Sequence, residues 1–502
     1  MLDGVGSQGA AGGASERAYS AVSSSLREPG AEVMEVVEED FTNDRVIGEL
    51  IEALGEDCVM VGAAVRERSA GIWRSDTVQA KALLRPRTTE QVSKALKICS
   101  ANQQSVVAHG GLTGLVGSAI TSPGDIALSL ERMNSIEEIN SLDRTMVVQS
   151  GVILQNIQEA ADDEGLMFPL DLGARGSCTI GGNISTNAGG NRVVRYGMAR
   201  DMVLGLEAVL ADGTVISSMN QMIKNNAGYD LKQLFIGTEG SLGIVTRAVL
   251  RLREKPESQA TLFVAIDEFK KLVLFLKHMD ARLGGTLSAF EVMWNNFYRL
   301  VTTEPAQGKP PVSQEYPYYV LVEAMGSDAS AVEAALADAY ESELIADAVV
   351  AQSEAQRLQL WALRDDVEQG FRYAPLFTFD VSLRISCMEA YLDEVNERLA
   401  AHYAEFNNFI FGHMGDGNLH LLISVGQGGD EDRKRVEACV YEPLVAIAGS
   451  VSAEHGVGTE KKPYLGITRS ADEIQLMRRL KAALDPNGIL NPGKIFDLEE
   501  SS

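Results

Sequence analysis

The chain has 502 residues, 45% hydrophobic and 23% charged, an ordinary globular balance on a length too great for one core, so two or three domains are expected. A formal net charge of −26 argues against nucleic acid and anionic membrane surfaces as partners, and no apolar run approaches the ~18 residues that span a bilayer. Five scattered cysteines (Cys58, Cys99, Cys178, Cys387, Cys439) without CxxC spacing argue against iron–sulfur clusters and zinc ribbons; they read as small buried hydrophobes in a reducing, cytoplasmic setting.

Residues 1–35, rich in Gly, Ala and Ser, lack a basic start followed by an apolar core, so a disordered tail is expected rather than a secretory signal. Within it Gly4–Gly9 spells GxGxxG, but no strand precedes it and no helix follows, so it fails as a dinucleotide fingerprint. Val46, Leu50, Ile51 and Leu54 mark an opening helix. Helix 89–102 leads to strand SVVAHG, strands 126–130 and 145–151, helix 153–164, and then a long glycine-rich loop. VLGLEAVLADGTVI carries a hairpin-like Asp212-Gly213 turn, and strand GIVTRAVLRL ends the block before Pro256. From 260, alternating strands and helices (TLFVAI, DEFKKLVLFLKHMDARL, LSAFEVMW, YYVLVEAMG, ASAVEAALADAYE, ADAVVAQ) predict an α+β domain with helices on one side. A helix around 354–373, a strand at 379–385 and a helix at 388–403 precede two final strands and two helices.

Three loops suit a polyphosphate ligand. The first, His109 to Ser118, packs four glycines into ten residues, which lets backbone amides converge on an anion; a tight surface turn is its plainer explanation. The second runs from Pro169-Leu170-Asp171-Leu172-Gly173 through Ser177 and Gly181-Gly182 to Gly190, and the third from Gly237 to Ile244. Three such loops in one domain imply a long ligand held extended.

HGGLTGLVGS, PLDLGARGSCTIGGNISTNAGGNRVVRYG and KNNAGYDLKQLFIGTEGSLGIVT resemble the FAD-binding domain of vanillyl-alcohol-oxidase-type flavoproteins, in particular the D-2-hydroxyglutarate and D-lactate dehydrogenases, over Pro86 to Lys494. The resemblance implies an α+β fold: a two-subdomain FAD-binding domain (36–255), an α+β substrate-capping domain (256–455) and a C-terminal helical segment (456–502) returning to the first. The cofactor residues it implies are Gly110, Gly111, Leu112, Thr113, Gly114, Leu115, Gly117 and Ser118; Pro169, Asp171, Leu172, Gly173, Ser177, Gly181, Gly182, Ser185, Thr186, Asn187 and Gly189; and Glu239, Gly240, Gly243, Ile244 and Asn491. Relatives that link FAD covalently use a histidine directly after the double glycine; Leu112 stands there, so non-covalent FAD is expected.

Of six histidines, three sit in Gly412-His413-Met414-Gly415-Asp416-Gly417-Asn418-Leu419-His420 and Ser452-Ala453-Glu454-His455-Gly456-Val457-Gly458. NNFIFGH–GDGN–HLLIS reads as a hairpin that sets His413 directly opposite His420, ~5 Å apart at Cβ. Glu454 completes a His₂Glu set with an open position, which favours zinc, with manganese or cobalt as alternatives; a hydrogen-bonded histidine pair without metal is the plainer reading. The resemblance agrees on these three ligands and makes His455 the base that takes the substrate's hydroxyl proton. It also makes Arg364 the substrate-carboxylate cation, against an ordinary exposed helix arginine, with Thr378 and Asn418 beside the substrate. Thr378, Glu368 and Leu422 replace a lysine, a threonine and an asparagine that hold the distal carboxylate in the hydroxyglutarate enzymes, while Arg384, at a proline position, is a candidate replacement cation.

The expected activity is FAD-dependent, metal-assisted oxidation of a D-2-hydroxy acid, with electrons passing to an external acceptor such as an electron-transfer flavoprotein, quinone or cytochrome. D-2-hydroxyglutarate specificity, an oxygen-using oxidase, and a flavoprotein subunit of a glycolate-oxidising complex are the alternatives. A homodimer is left open.

Overall fold

The computed structural model describes residues 44–498; the expected tail and the Gly4–Gly9 motif lie outside them. Asp44 caps the helix Arg45–Leu54 by accepting the N–H groups of Val46 and Ile47, a contact worth about 1 kcal/mol in typical helices. The buried Ile47, Leu50 and Leu54 pack with helix Thr89–Ala101 against a four-stranded sheet, ordered Val59–Val61, Ala82–Leu84, Ile126–Ser129, Val106–His109. The last three strands are parallel, and the loop after Val106–His109 meets the next unit, where a Cβ on Gly110 would lie 2.9 Å from Thr179 Oγ1.

That unit is a five-stranded antiparallel sheet, ordered Ile136–Asn140, Thr145–Gln149, Ile244–Arg251, Val203–Val209, Val215–Ser218. The Asp212-Gly213 turn is present: Gly213 takes φ +82°, and the Leu210 N–H donates to the Thr214 carbonyl at 2.9 Å. The edge strand Ile136–Asn140 was not anticipated, because IEEIN is too polar and too exposed to show alternation. The expected glycine-rich loop contains a helix, Ile180–Thr186. A Cβ on Gly181 would lie 2.5 Å from Cβ of Ser150, so this glycine serves close packing of helix on sheet rather than a free loop.

A seven-stranded antiparallel sheet follows, ordered Asp347–Val350, Gln259–Ile266, Tyr318–Met325, Leu287–Trp294, Asn407–His413, Asn418–Ser424, Phe377–Ser382. Helices Phe269–Leu283, Ala329–Glu341, Met388–His402 and Asp430–Tyr441 bury one face through Phe290, Val292, Leu419, Leu421 and their neighbours. The expectation of helices on one side is corrected: Asn295–Thr302 and Glu354–Asp365 cover part of the other face, around Met293, Tyr319, Trp361 and Phe411. The remainder of that face, with Glu291, His413, His420, Asp380 and Thr378, is left for chemistry. The helix expected at 354–373 ends at Asp365 and continues after Asp366 as a 3₁₀ segment, Val367–Tyr373. The expected strand 379–385 is shifted to Phe377–Ser382.

Leu490 bridges to Val106, and Asn491 accepts the Ala108 N–H at 2.8 Å, so the C-terminal segment docks on the first sheet. All cysteines are free and four are buried. Among the described residues no helix is long and apolar enough to cross a membrane.

Candidate active site

A cavity of about 910 Å³ lies between the glycine-rich loops and the uncovered end of the seven-stranded sheet. The expected cofactor residues line it, except Pro169, Asp171, Asn187 and Gly243. Asp171 is taken up by Arg175 at 2.8 Å and Arg192 at 3.5 Å. Asn187, at φ +51°, ends the short helix and accepts the Arg200 N–H at 3.0 Å. Gly243 packs under Phe235, where a Cβ would come within 2.8 Å of the ring. Gly111 lets the first two loops touch, since its Cβ would lie 2.3 Å from the Ser177 carbonyl. Thr179 Oγ1 and Asn183 Oδ1 are buried on the cavity wall without partners among the described residues, as suits atoms that meet a polar ligand.

Glu239 lines the cavity, yet its carboxylate binds the chain itself. It accepts the N–H groups of Val457 at 2.7 Å and Gly458 at 2.9 Å, and the Ser118 hydroxyl. It thus ties the first and third loops to the turn that follows His455. Gly456 turns there at φ +85°, and a Cβ would press on the Glu239 carboxylate at 2.7 Å.

His413, His420 and Glu454 converge, each offering a ligand atom within 4.8 Å of the others. Glu454 Oε2 is 3.7 Å from Nε2 of His413 and 3.8 Å from Nε2 of His420. The set fits a divalent cation by donor type and by convergence. The hairpin register differs from the expected one: His420 pairs with Phe411, not His413. Residues 414–416 form a 3₁₀ turn closed by Gly417 at φ +89°, so Met414 and Leu419 do not pair. The shift is two residues, so both histidines keep the same sheet face, with ring centroids 5.2 Å apart.

Two buried carboxylates stand behind this set. Glu291, opposite His413 on the neighbouring strand, has Oε1 2.7 Å from His413 Nδ1 and accepts from Arg364 Nε at 2.8 Å. Burial works against the charge on Glu291, but His413 and Arg364 hold its carboxyl below the usual range. For His413, burial is outweighed by Glu291 and Glu454, which push it up to about 9. Asp380, opposite His420, accepts the N–H groups of Ala453, Glu454 and His455 on Oδ2 at 3.2, 3.0 and 3.0 Å. His455 Nδ1 is 3.7 Å from that oxygen, and Lys461 donates to it at 3.4 Å. Burial raises the Asp380 carboxyl, but His455, Lys461 and His420 outweigh it and hold the group well below its ordinary value. Burial, with the positive charge of His413, keeps His420 well below its own. Neither carboxylate was singled out from the sequence. Glu291 is an acid on a largely apolar strand, LSAFEVMW, and that anomaly was the available signal; Asp380 sits at a polar position of the alternating strand FTFDVS, where the pattern does not mark it.

His455, Arg364 and Thr378 line the cavity; Arg384 and Asn418 do not. Arg384 is exposed beyond the end of its strand, so it supplies no cation to the pocket. Asn418 begins its strand on the same face as His420 and is buried, with both amide atoms unpartnered among the described residues. Arg364 is buried rather than exposed, its guanidinium 5.0 Å from the centre of the Phe411 ring. Arg74, unanticipated, also lines the cavity, but Asp76 takes its guanidinium with two 2.7 Å contacts.

Residues 80–218 match the family described as FAD binding domain, and residues 255–495 match FAD linked oxidases, C-terminal domain. The D-2-hydroxyglutarate dehydrogenase of Xanthomonas citri pv. viticola is 41% identical over 84% of this chain and 90% of its own length. The mitochondrial D-2-hydroxyglutarate dehydrogenase of Bos taurus is 39% identical over 83% of this chain and 77% of its own. A Schizosaccharomyces pombe protein whose name carries a provisional D-lactate dehydrogenase assignment is 39% identical over 82% and 81%. In fold, the chain is similar to p-cresol methylhydroxylase, with a TM-score of 0.73 at 19% identity over 93% of this chain and 99% of that one. It is also similar to 4-ethylphenol oxidase from Gulosibacter chungangensis, with a TM-score of 0.69 at 20% identity over the same shares.

Proposed function

Because the chain belongs to the FAD-linked oxidase family that includes the D-2-hydroxyglutarate and D-lactate dehydrogenases, we propose that it oxidises a D-2-hydroxy monocarboxylate to the 2-oxo acid, with non-covalent FAD, a divalent metal and an external electron acceptor. The observation that carries this reading is the His413, His420 and Glu454 set beside His455, on the wall of the cavity that the glycine-rich loops enclose.

The glycine-rich loops would hold FAD, which would supply a hydride acceptor, and His413, His420 and Glu454 would hold a divalent metal, which would supply a Lewis acid for the substrate's hydroxyl. Arg364 grips the substrate carboxylate with the guanidinium edge that Glu291 leaves free. His455 takes the hydroxyl proton, and Asp380 holds the segment that carries it. The absence of a covalent link is supported by Leu112 after the double glycine, and by His109 being buried with Nε2 3.0 Å from the Ala119 carbonyl.

Preference for a monocarboxylate rests on the side-chain end of the cavity, where Thr378, Leu422 and Glu368 offer no cation. Steady-state oxidation of D- and L-2-hydroxy acids with a dye acceptor tests the reading. D-specific turnover that zinc or manganese restores after chelation is expected. Turnover of none of these acids by flavin-loaded protein overturns it.

A further inference from the structure

Glu291 is 1% exposed, and its two oxygens serve different partners. Oε1 faces Nδ1 of His413 at 2.7 Å, and Oε2 accepts from Nε of Arg364 at 2.8 Å. On the reading above, one partner is a metal ligand and the other the substrate-carboxylate arginine. We propose that Glu291 is a positioning residue that fixes these two groups in one relation, so that the adjacent hydroxyl and carboxylate of a 2-hydroxy acid are bound as a unit. This inference rests on the proposed roles of His413 and Arg364.

Two physical effects lead there. A neutral imidazole has one donor and one acceptor nitrogen, and an anion at Nδ1 keeps the proton on that side, leaving the Nε2 lone pair for an ion. Nε2 also lies 3.2 Å from Arg364 Nη2, so a guanidinium free to turn would compete with the ion for that lone pair. With Nε held by Glu291 and Cζ over the Phe411 ring, the guanidinium has little room to turn. A carboxylate is needed because it accepts at both ends. In Glu291→Gln the amide NH₂ would face one of two donors, so one partner loses its anchor.

A purely structural role, neutralising buried Arg364, would alter stability but not the ligand geometry. The test is on the flavin-loaded protein: zinc affinity by competition with a chromophoric chelator, and pyruvate affinity from flavin spectral perturbation in zinc-free protein. Glu291→Gln is expected to retain flavin and to weaken zinc binding by roughly 10–100-fold, the usual effect of losing a partner behind a metal-bound histidine. Pyruvate binding by the zinc-free variant is expected to weaken about tenfold. Both affinities unchanged within twofold, or only one altered, overturns the proposal. If Glu291→Gln loses its flavin, Glu291→Asp serves: the charge stays, but the shorter side chain cannot span both partners, and unchanged affinities overturn the proposal equally. His413→Ala separates the two readings, since undiminished zinc binding there overturns the metal site itself rather than the part given to Glu291.

Discussion

The backbone N–H of His455 donates to Oδ2 of Asp380 at 3.0 Å, and the N–H groups of Ala453 and Glu454 share that oxygen. One buried carboxylate therefore clamps the segment that carries both Glu454, the third proposed metal ligand, and His455, the proposed base. Hydrogen bonds to a charged acceptor contribute about 1.5–3 kcal/mol each. Asp380→Asn can keep an oxygen at the Oδ2 position, with its NH₂ where Oδ1 has no partner among the described residues, but it loses the charge that the three N–H groups, His455 and Lys461 share. It is expected to keep FAD, because Asp380 bonds the 453–455 segment and Lys461 rather than the glycine-rich loops, while flavin reduction by substrate slows by roughly 100-fold, about 2.7 kcal/mol. Stopped-flow reduction at saturating substrate decides, and a wild-type rate would refute the clamp.

The neighbours Glu454 and His455 are expected to separate in function. His455→Ala should bind metal and flavin normally but slow single-turnover reduction by roughly 10²–10⁴-fold, the usual contribution of a positioned base. Glu454→Ala should lose metal first. Metal analysis alongside the reduction traces distinguishes them; metal loss in His455→Ala would show that the two roles are misassigned.

His109 gives a pH prediction. Burial holds its pKa down to about 4, against 6.5 when unfolded. The folded state therefore binds fewer protons than the unfolded state between these values, and stability falls as pH drops below about 6.5. At pH 5 the loss is about 2 kcal/mol relative to pH 7.5, at 1.36 kcal/mol per unit. His109→Gln, whose amide can still donate to the Ala119 carbonyl, should remove that part of the acid sensitivity. Urea unfolding of both proteins at pH 7.5 and 5.0 checks it, and equal acid shifts would count against it.

Substrate choice follows from the cavity end near Thr378, Leu422 and Glu368. D-lactate or D-2-hydroxybutyrate should exceed D-2-hydroxyglutarate in kcat/KM by about tenfold, roughly 1.4 kcal/mol. Arg384→Ala should leave that ratio unchanged, because the residue is exposed away from the cavity. Thr378→Lys combined with Leu422→Asn should move the ratio toward the dicarboxylate. A wild-type preference for D-2-hydroxyglutarate would contradict the account of this end of the pocket.

The sequence by itself determined whatever is local along the chain. The glycine-rich loops, the two histidine motifs and the strands and helices around them are contiguous runs, so residue type and spacing carry their chemistry. The group His413, His420 and Glu454 could be named from residue type and spacing in those runs, whereas Leu112 had meaning only through the family resemblance that the runs carry. Tertiary structure decided what depends on register and chain crossing. Glu291 meets His413 only because strand Leu287–Trp294 lies beside Asn407–His413, and Asp380 meets His420 only through the strand on the other side. The hairpin register was set by the 3₁₀ turn at Met414–Asp416, closed by Gly417, which sits one residue earlier than the expected GDGN turn and so moves the partner of His420 by two residues. Arg384 and Arg74 show the same limit: whether a charged side chain faces a cavity is set by where its segment ends in space, and that depends on contacts far apart in the chain.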